Sequence, residues 1–189
     1  MNAYDFDRTI FQPDSSYAFV FYCLRHYPRA VLRAAPGMVY GAGMRLLGRM
    51  DTRQLKEKVF AFLARLDDVD RVVEEFWQEK ESGLEAWYLA QKREDDLIIS
   101  ASPEFLLRPV AEKLGVRLIA TPMDKHSGLI LGKNCHDYEK VTRFIQSFPH
   151  EKPERFYSDS LSDSPMAWIS HRAWLVDKGK MSPWPERKH

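Results

Sequence analysis

Hydrophobic and polar positions change their spacing once along the chain, near residue 96. Over residues 17–92, apolar side chains recur at helical intervals, as at Leu55, Val59 and Phe62. No segment there alternates with the period of two that is typical of a strand. The pattern therefore predicts an entirely helical block, interrupted at residues 34–37, where proline is followed by glycine.

Beyond residue 96, short apolar runs alternate with helical patterns, which is typical of a parallel sheet. A small hairpin is expected at residues 127–132, and a loosely held basic tail from Gly179 onward. The predicted strands are residues 97–100, 116–120, 155–158 and 173–176.

A very short strand at Tyr4 has to join the same sheet, so the helical block is an insertion after the first strand. We therefore predict an α/β protein with two parts. The core would consist of residues 1–14 and 93–189, and residues 15–92 would form a separate helical domain.

Composition narrows the class of protein. The chain has 189 residues, which suits one domain or one domain with a modest insert. Its 28 basic and 27 acidic residues nearly cancel, so nothing favours nucleic acid as a partner. The two cysteines match no metal or redox spacing, and Asp5 would interrupt a signal peptide. A cytoplasmic setting is expected, and the oligomeric state is not indicated.

The first candidate for chemistry is the stretch around Asp5, Asp7 and Thr9. A strand that ended at Asp5 would leave Asp7 and Thr9 in the turn beyond it. The three oxygen-bearing side chains could then converge at the sheet edge. Such a cluster suits a hard divalent cation, with one carboxylate free to act as a nucleophile. Taken alone, the stretch is more typical of a solvated turn.

Three further features lie at predicted strand ends or helix starts, where open α/β sheets bind ligands. Ser100 ends a buried strand, Lys140 lies early in a helix, and Asp159 and Asp163 follow another strand. Each alone has an ordinary explanation as a helix cap, a surface lysine or a capped loop. For Ser102, beside a proline, we favour an ordinary helix N-cap.

The order of these motifs, D-x-D-x-T, a strand-end serine, a lysine and D-S-x-x-D, resembles the haloacid dehalogenase superfamily. The helical insertion is similar to the type 1 cap of its phosphoserine phosphatase-like branch, subfamily IB. The resemblance implies that Asp5 is a nucleophile that forms an aspartyl-phosphate and that Asp7 is the general acid and base. It implies a Mg²⁺ cofactor, with Asp5, the Asp7 carbonyl, Asp159 and Asp163 at the metal site. The implied phosphate-binding positions are Thr9, Ser100, Ala101 and Lys140.

The resemblance therefore implies a Mg²⁺-dependent phosphatase that acts on a small phosphorylated metabolite, for instance phosphoserine. A membrane-surface lipid phosphatase is the alternative, because residues 17–47 are apolar and aromatic with interspersed arginines. We favour the interpretation that these residues are simply the core of the cap. A catalytically silent phospho-ligand binding module is the alternative of another class.

Overall fold

Six strands form one mixed sheet in the computed structural model, which describes residues 1–186. The strand order is β3-β2-β1-β4-β5-β6; β1 to β5 are parallel, and β6 is antiparallel to β5. This confirms the predicted α/β class with a parallel sheet. The strands are β1 Ala3–Tyr4, β2 Leu97–Pro103, β3 Arg117–Thr121, β4 Arg155–Ser158, β5 Arg172–Asp177 and β6 Lys180–Pro183.

Eight α-helices accompany the sheet within the described residues. Five of them lie between β1 and β2 in the chain, and we refer to residues 15–91 as the helical segment. It adds no strand to the sheet, although Leu84 makes an isolated bridge with Phe11. The helices are α1 Ser15–His26, α2 Pro28–Leu46, α3 Thr52–Phe60, α4 Val69–Lys80, α5 Ala86–Gln91, α6 Glu104–Leu114, α7 Tyr138–Ser147 and α8 Ser164–Ile169.

Acidic residues begin three of these helices. The side chain of Asp51 accepts a hydrogen bond from the backbone N–H of Gln54, and the Gln54 side chain accepts one in return, which forms a capping box at α3. Asp14 caps α1 and Asp68 caps α4 in the same manner, through one backbone N–H each. These bonds satisfy backbone N–H groups that have no partner within the first turn of a helix.

The break predicted at residues 34–37 is wrong, because α2 continues through Pro36. A proline inside a helix removes the hydrogen bond to the carbonyl four residues earlier, here that of Leu32. Both Leu32 and Pro36 lie on the exposed side of the helix, where water can satisfy that carbonyl. The actual boundary falls at Pro28, the first residue of α2, where proline costs no hydrogen bond.

The hairpin predicted at residues 127–132 is present in a minimal form. Met123 and Ile130 form an isolated antiparallel bridge, and backbone hydrogen bonds of 2.9 and 2.8 Å join residues 122–124 to residues 129–131 on either side of it. The backbone groups of Ile130 that point away from this pairing bond α3: its N–H donates to Glu57 and its carbonyl accepts from Arg53. These contacts hold the hairpin against the helical segment.

The tail expected to be loose from Gly179 onward is partly ordered. Residues 180–183 form β6 along the outer edge of β5, and residues 187–189 lie outside the described part of the chain. All four residues of β6 are exposed, so the strand has no alternating apolar pattern that the sequence could reveal.

The two faces of the sheet bury different clusters, as the alternation of side chains along a strand requires. Ala3 and Phe156 face a cluster that includes residues of α7 and α8. Tyr4 and Tyr157 face a larger cluster that includes residues of α4 to α6, and their rings stack at 4.9 Å. The short central strand β1 is thereby packed on both sides.

The core interpretation of residues 17–47 holds for only part of this stretch. Phe19, Tyr22, Cys23, Val31 and Ala34 are buried as expected. It is wrong for eight large apolar side chains, which are exposed: Tyr17, Phe21, Leu24, Leu32, Val39, Tyr40, Leu46 and Leu47. Within residues 1–186, no helix is both long enough and apolar enough to cross a membrane.

Candidate active site

The strand order changes direction at β1, since the chain continues to β2 on one side and reaches β4 on the other. In open parallel sheets such a switch leaves a crevice at the carboxyl ends of the strands. Asp5 follows β1 directly at this edge, and its backbone N–H donates to the carbonyl of Tyr157 at 2.8 Å. The sheet therefore fixes the first candidate residue through its main chain.

The hydroxyl of Thr9 joins two of the predicted site residues. Its Oγ1 donates to Oδ2 of Asp5 at 3.4 Å and accepts from the backbone N–H of Asp159 at 2.9 Å. Thr9 is fully buried, so this hydroxyl has no access to solvent. It ties the turn after β1 to the turn after β4.

Lys140 enters the same edge from the first turn of α7 and is almost completely buried. Its Nζ donates to Oδ1 of Asp5 at 2.6 Å and to Oδ2 of Asp163 at 2.7 Å. The same oxygen of Asp163 accepts from the hydroxyl of Ser158 at 2.7 Å. The surface explanation for Lys140 is therefore wrong, because its ammonium lies between two buried carboxylates.

The charges around Lys140 determine two pKa values. Burial raises the pKa of Asp5 to about 8, although Lys140 opposes this, and the nearby charges of Asp163 and Asp7 raise it further. Burial alone would lower the pKa of Lys140, but Asp5 and Asp163 outweigh it and raise that pKa above its ordinary value. One ammonium is thus shared between two carboxylates.

These side chains open onto a cavity of about 240 Å³, which we call the acidic cavity. Asp159 is half-buried there; burial raises the pKa of its carboxyl, and Arg8 opposes that shift. Arg8 has a positive φ of 57° and lies 3.9 Å from Asp14. The lining residues are Asp5, Asp7, Arg8, Asp14, Ala101, His136, Lys140, Asp159, Ser160, Ser162 and Asp163.

The donors in the acidic cavity are suited to a hard divalent cation. Within residues 1–186, no three His, Cys, Asp or Glu side chains are gathered closely enough to hold a metal ion. Mg²⁺ does not need such a cage, since it is usually held by one or two carboxylates, waters and substrate oxygens. Asp5 and Asp159 provide two carboxylates on one cavity, so the residues present fit Mg²⁺.

Asp7 is oriented by the start of the helical segment. Its Oδ1 accepts from the backbone N–H of Ser15 at 2.7 Å, and its Oδ2 accepts from the hydroxyl of Ser102 at 2.5 Å. Burial raises the pKa of Asp7, the charge of Asp14 raises it further, and the bonds from Ser102 and Ser15 oppose both. A carboxyl of this kind holds a proton at a higher pH than an ordinary aspartate.

Ser102 was missed as a site residue, and its interpretation as a helix N-cap is wrong. No side-chain cap bond is present at the start of α6; instead the hydroxyl bonds Asp7 and also contacts Ser15 and Ser16. In a regular strand Ser102 would share a face with Ser100. A register shift between Ile99 and Pro103 interrupts that alternation, so the pattern alone does not indicate the direction of the Ser102 side chain.

Ser100 and Ala101 lie within β2, which continues to Pro103 and does not end at Ser100 as predicted, and their polar groups are already bonded. The Oγ of Ser100 accepts from the backbone N–H of Ser102 at 3.0 Å. The carbonyl of Ala101 accepts from Thr121 at 2.7 Å and from the ammonium of Lys56 at 2.8 Å. Of these two predicted phosphate-binding residues, Ala101 lines the acidic cavity.

Lys56, from α3, is the contribution of the helical segment. From the sequence it is one of several cationic residues of the cap that could meet an anionic substrate, most of which are expected to be solvated. Its Nζ donates to the Ala101 carbonyl and, at 3.1 Å, to Oδ1 of Asn134. Burial lowers the pKa of Lys56, and the charges of Asp7 and Asp14 partly offset this. The sequence does not single it out from the other cap cations, because only the position of α3 brings this one to the site.

Lys56 lines a second cavity of about 230 Å³, which we call the apolar pocket. Three residues, Asp7, Asp14 and Ala101, line both cavities, so the two are adjacent. The other lining residues are Ser16, Tyr17, Thr52, Leu55, Val59, Phe60 and Ser102. A group held at Asp5 could therefore extend into an apolar space that carries one ammonium.

A comparison of the sequence with known protein families identifies the family to which this fold and its acidic sheet edge belong. Residues 3–167 match the family model of the haloacid dehalogenase-like hydrolases. That match covers well over half of the sequence, and the chain belongs to this family. The resemblance that the motif order suggested is thereby confirmed, and the chain is a hydrolase of that family.

Individual relatives are more distant. Protein CicA of Caulobacter vibrioides is 27% identical over 194 residues, which cover 94% of this chain and 86% of CicA. A protein of unknown function from Bordetella pertussis Tohama I has a similar structure, with a TM-score of 0.73, 22% identity and coverage of 92% and 87% of the two chains. A phosphoserine phosphohydrolase-like protein from Francisella tularensis gives a TM-score of 0.57, 14% identity and coverage of 92% and 86%. These two structural likenesses show the fold alone.

Proposed function

We propose that this chain is a Mg²⁺-dependent phosphatase that hydrolyses a small phosphomonoester through an aspartyl-phosphate on Asp5. The observation that carries the proposal is the pairing of Asp5 with Lys140 at 2.6 Å on the acidic cavity. Phosphoryl transfer depends mainly on positioning and charge neutralisation. A carboxylate with a buried ammonium beside it meets both needs.

In the first step, an oxygen of Asp5 attacks phosphorus and the bond to the leaving oxygen breaks. Asp7 donates its proton to that oxygen, and its raised pKa keeps the proton on the carboxyl to a higher pH than in an ordinary aspartate. In the second step, the ionised Asp7 takes a proton from water, the water oxygen attacks phosphorus, and the bond between phosphorus and Asp5 breaks to release phosphate and the Asp5 carboxylate. Lys140 remains beside Asp5 in both steps and offsets the negative charge.

Mg²⁺ would be held by Asp5, Asp159 and the Asp7 carbonyl, with Asp163 in support. When bound, it supplies positive charge that offsets repulsion between the carboxylate and the phosphate and favours the ionised form of Asp5. Lys140 and Asp163 set the resting charge around Asp5, and Thr9 holds the turn that carries it. Ser100 and Ala101 are proposed to border the phosphoryl group.

Residues 15–92 are proposed to act as a cap that shapes substrate choice, in a protein of subfamily IB. Support comes from Lys56 and Tyr17, which reach the apolar pocket from α3 and α1. The substrate would place its phosphate in the acidic cavity and its remaining part in the apolar pocket. A small phosphorylated metabolite fits this arrangement, and the two unpaired cysteines agree with a cytoplasmic setting.

The two aspartates can be separated with p-nitrophenyl phosphate in the presence of Mg²⁺. In Asp7→Asn, the first step still proceeds, because nitrophenolate leaves without a proton, but no base activates water for the second. General acid–base help is worth about 10²–10⁴-fold, so this variant should release a burst of nitrophenolate and accumulate a hydroxylamine-labile phosphoenzyme. Asp5→Asn should show neither.

The exposed Asp177→Asn serves as the matched control and should behave as wild type, whereas EDTA should abolish turnover until Mg²⁺ is restored. A burst in the Asp5 variant and none in the Asp7 variant would reverse the two roles. A burst in neither, with both variants folded by circular dichroism, would refute the covalent mechanism. Full turnover in EDTA would remove the metal from the proposal.

A further inference from the structure

Large apolar side chains lie exposed along one side of each of the first two helices. On α1 they are Tyr17, Phe21 and Leu24, spaced four and three residues apart. That spacing places them on a single helix face. Phe21 is 68% exposed, so this face is not covered by other parts of residues 1–186. We call these residues the α1 stripe.

A longer stripe follows on α2. Leu32, Val39 and Leu46 follow one another at intervals of seven residues, which is about two helical turns. Tyr40 and Leu47 are their immediate neighbours in sequence, so the five side chains lie on one face. Leu46 is 89% exposed and Val39 is 72% exposed, so these side chains are not packed in the hydrophobic core. We call the following set the α2 stripe: Leu32, Val39, Tyr40, Leu46 and Leu47.

The charged side chains of the first two helices are all basic. Residues 15–50 contain five arginines and none of the 27 acidic residues of the chain. Arg29 and Arg33 are exposed and occupy positions next to the α2 stripe along the helix. Arginine ion pairs within residues 1–186 are formed by Arg8, Arg53, Arg71, Arg93, Arg108 and Arg143, and none of the five takes part.

Exposed apolar stripes bordered by unpaired arginines are the features of helices that lie in the interface of a negatively charged bilayer. From these stripes and arginines we infer that α1 and α2 dock the protein on an anionic phospholipid surface. The helix α2, about 28 Å long, would lie along that surface. A lipid surface accommodates both features at once, since its acyl region takes the apolar side chains and its headgroups take the arginines.

A second copy of this chain is a poorer occupant of the same face. In a twofold dimer the same patch meets itself, so the arginines of one copy would face those of the other. No acidic residue among residues 15–50 could offset that repulsion. The inference concerns docking and does not depend on catalytic activity. Because Tyr17 belongs to the α1 stripe and also lines the apolar pocket, docking would place that pocket near the lipid headgroups.

The test is co-sedimentation of the full chain with vesicles. We expect binding to vesicles of phosphatidylglycerol mixed with phosphatidylcholine, weaker binding to phosphatidylcholine alone, and loss of binding at high salt. The double variant Phe21→Gln/Val39→Gln should lower the affinity at least about tenfold, since two apolar side chains no longer enter the bilayer. Arg29→Gln/Arg33→Gln should lower it by about fivefold for each arginine removed.

Leu131→Gln/Ile145→Gln is the matched control, because both side chains are exposed, at 62% and 50%, but lie outside the two stripes. It should bind vesicles as wild type does. The substitutions are all at exposed sites, so melting curves should coincide. No binding to either kind of vesicle would overturn the inference, as would binding that the stripe variants leave unchanged. Self-association by sedimentation velocity that the stripe variants abolish, without vesicle binding, would assign the face to a second copy.

Discussion

Each of the two parts of the molecule sends one lysine toward the site, and the two lysines are held differently. Lys140, from the α/β part, lies between the carboxylates of Asp5 and Asp163. Lys56, from the helical segment, binds only the neutral oxygens of Ala101 and Asn134. Their pKa values accordingly move in opposite directions, upward for Lys140 and downward for Lys56.

The difference shows that the charge of Lys140 is neutralised within the protein, whereas the charge of Lys56 can still pair with an anionic group of a substrate. The charge of Lys140 is already balanced within the site, so removing it leaves two buried carboxylates without a partner. Lys56 has no direct anionic partner among residues 1–186, and an anionic group in the apolar pocket would supply one. We therefore expect Lys140 to matter for every substrate and Lys56 to matter for some.

The largest expected effect is on turnover. Lys140→Met should lower kcat for p-nitrophenyl phosphate by about 10³-fold, since a preorganised cation beside the developing charge is lost. Lys56→Met should change the same kcat by less than about threefold. Steady-state kinetics of both variants measures this contrast. A larger loss of kcat in Lys56→Met would invert the comparison.

The next effect is on stability, measured by urea unfolding. Lys140→Met should cost about 3–5 kcal/mol, the usual consequence of breaking a buried ion pair on one side. The loss should shrink as the pH is lowered, because Asp5 can then take up a proton. Lys56→Met should cost about 1 kcal/mol, since its partners are neutral and half-buried. Equal losses in the two variants would show that the carboxylates do not distinguish these lysines.

A pH effect follows from Asp5 in the metal-free protein. Its pKa is about 8 in the folded state and about 4 when unfolded, so the folded state binds the proton more tightly. This contribution to stability is complete below about pH 4 and is lost as the pH rises through about 8, at up to about 1.4 kcal/mol per pH unit. Urea unfolding in EDTA should show the slope, and Asp5→Asn should remove it. A slope that persists in the variant would assign it to another group.

The smallest expected effect is on KM, and it tests whether Lys56 binds a second anionic group of the substrate. For phosphomonoesters with a second anionic group, Lys56→Met should raise KM by about tenfold, equivalent to one hydrogen bond to a charged group. For p-nitrophenyl phosphate, KM should stay the same, and Lys56→Arg should restore part of the difference. Lys58→Met, an exposed lysine on the same helix, is the control. An equal rise in KM for both substrates would show that Lys56 supports the fold of the site.

The contrast between the two lysines also marks what the sequence could predict. Lys140 was found because it follows an ordered series of motifs, and the ends of parallel strands bring Asp5, Asp159 and Asp163 to one edge. Lys56 was not singled out among the cap cations, because its importance arises from its contact with the carbonyl of Ala101 in β2. The hairpin shows the same limit: the pattern predicts it, but not the bonds that Ile130 makes to α3. The local sequence pattern predicted the helices and strands, but the contacts between the two parts are visible only in the three-dimensional structure.

Each part of the molecule also contains one of the two cysteines, Cys23 on α1 and Cys135 before α7, and both are buried. Burial raises the pKa of Cys23 to about 12 and that of Cys135 to about 11, so almost no thiolate is present at neutral pH. Either thiol can react with Ellman's reagent only after its surroundings open. With one cysteine replaced by alanine at a time, labelling rates would report the opening of the helical segment and of the α/β part separately. The native sequence thus contains one buried thiol in each part, and the labelling rate of each thiol measures how often that part opens.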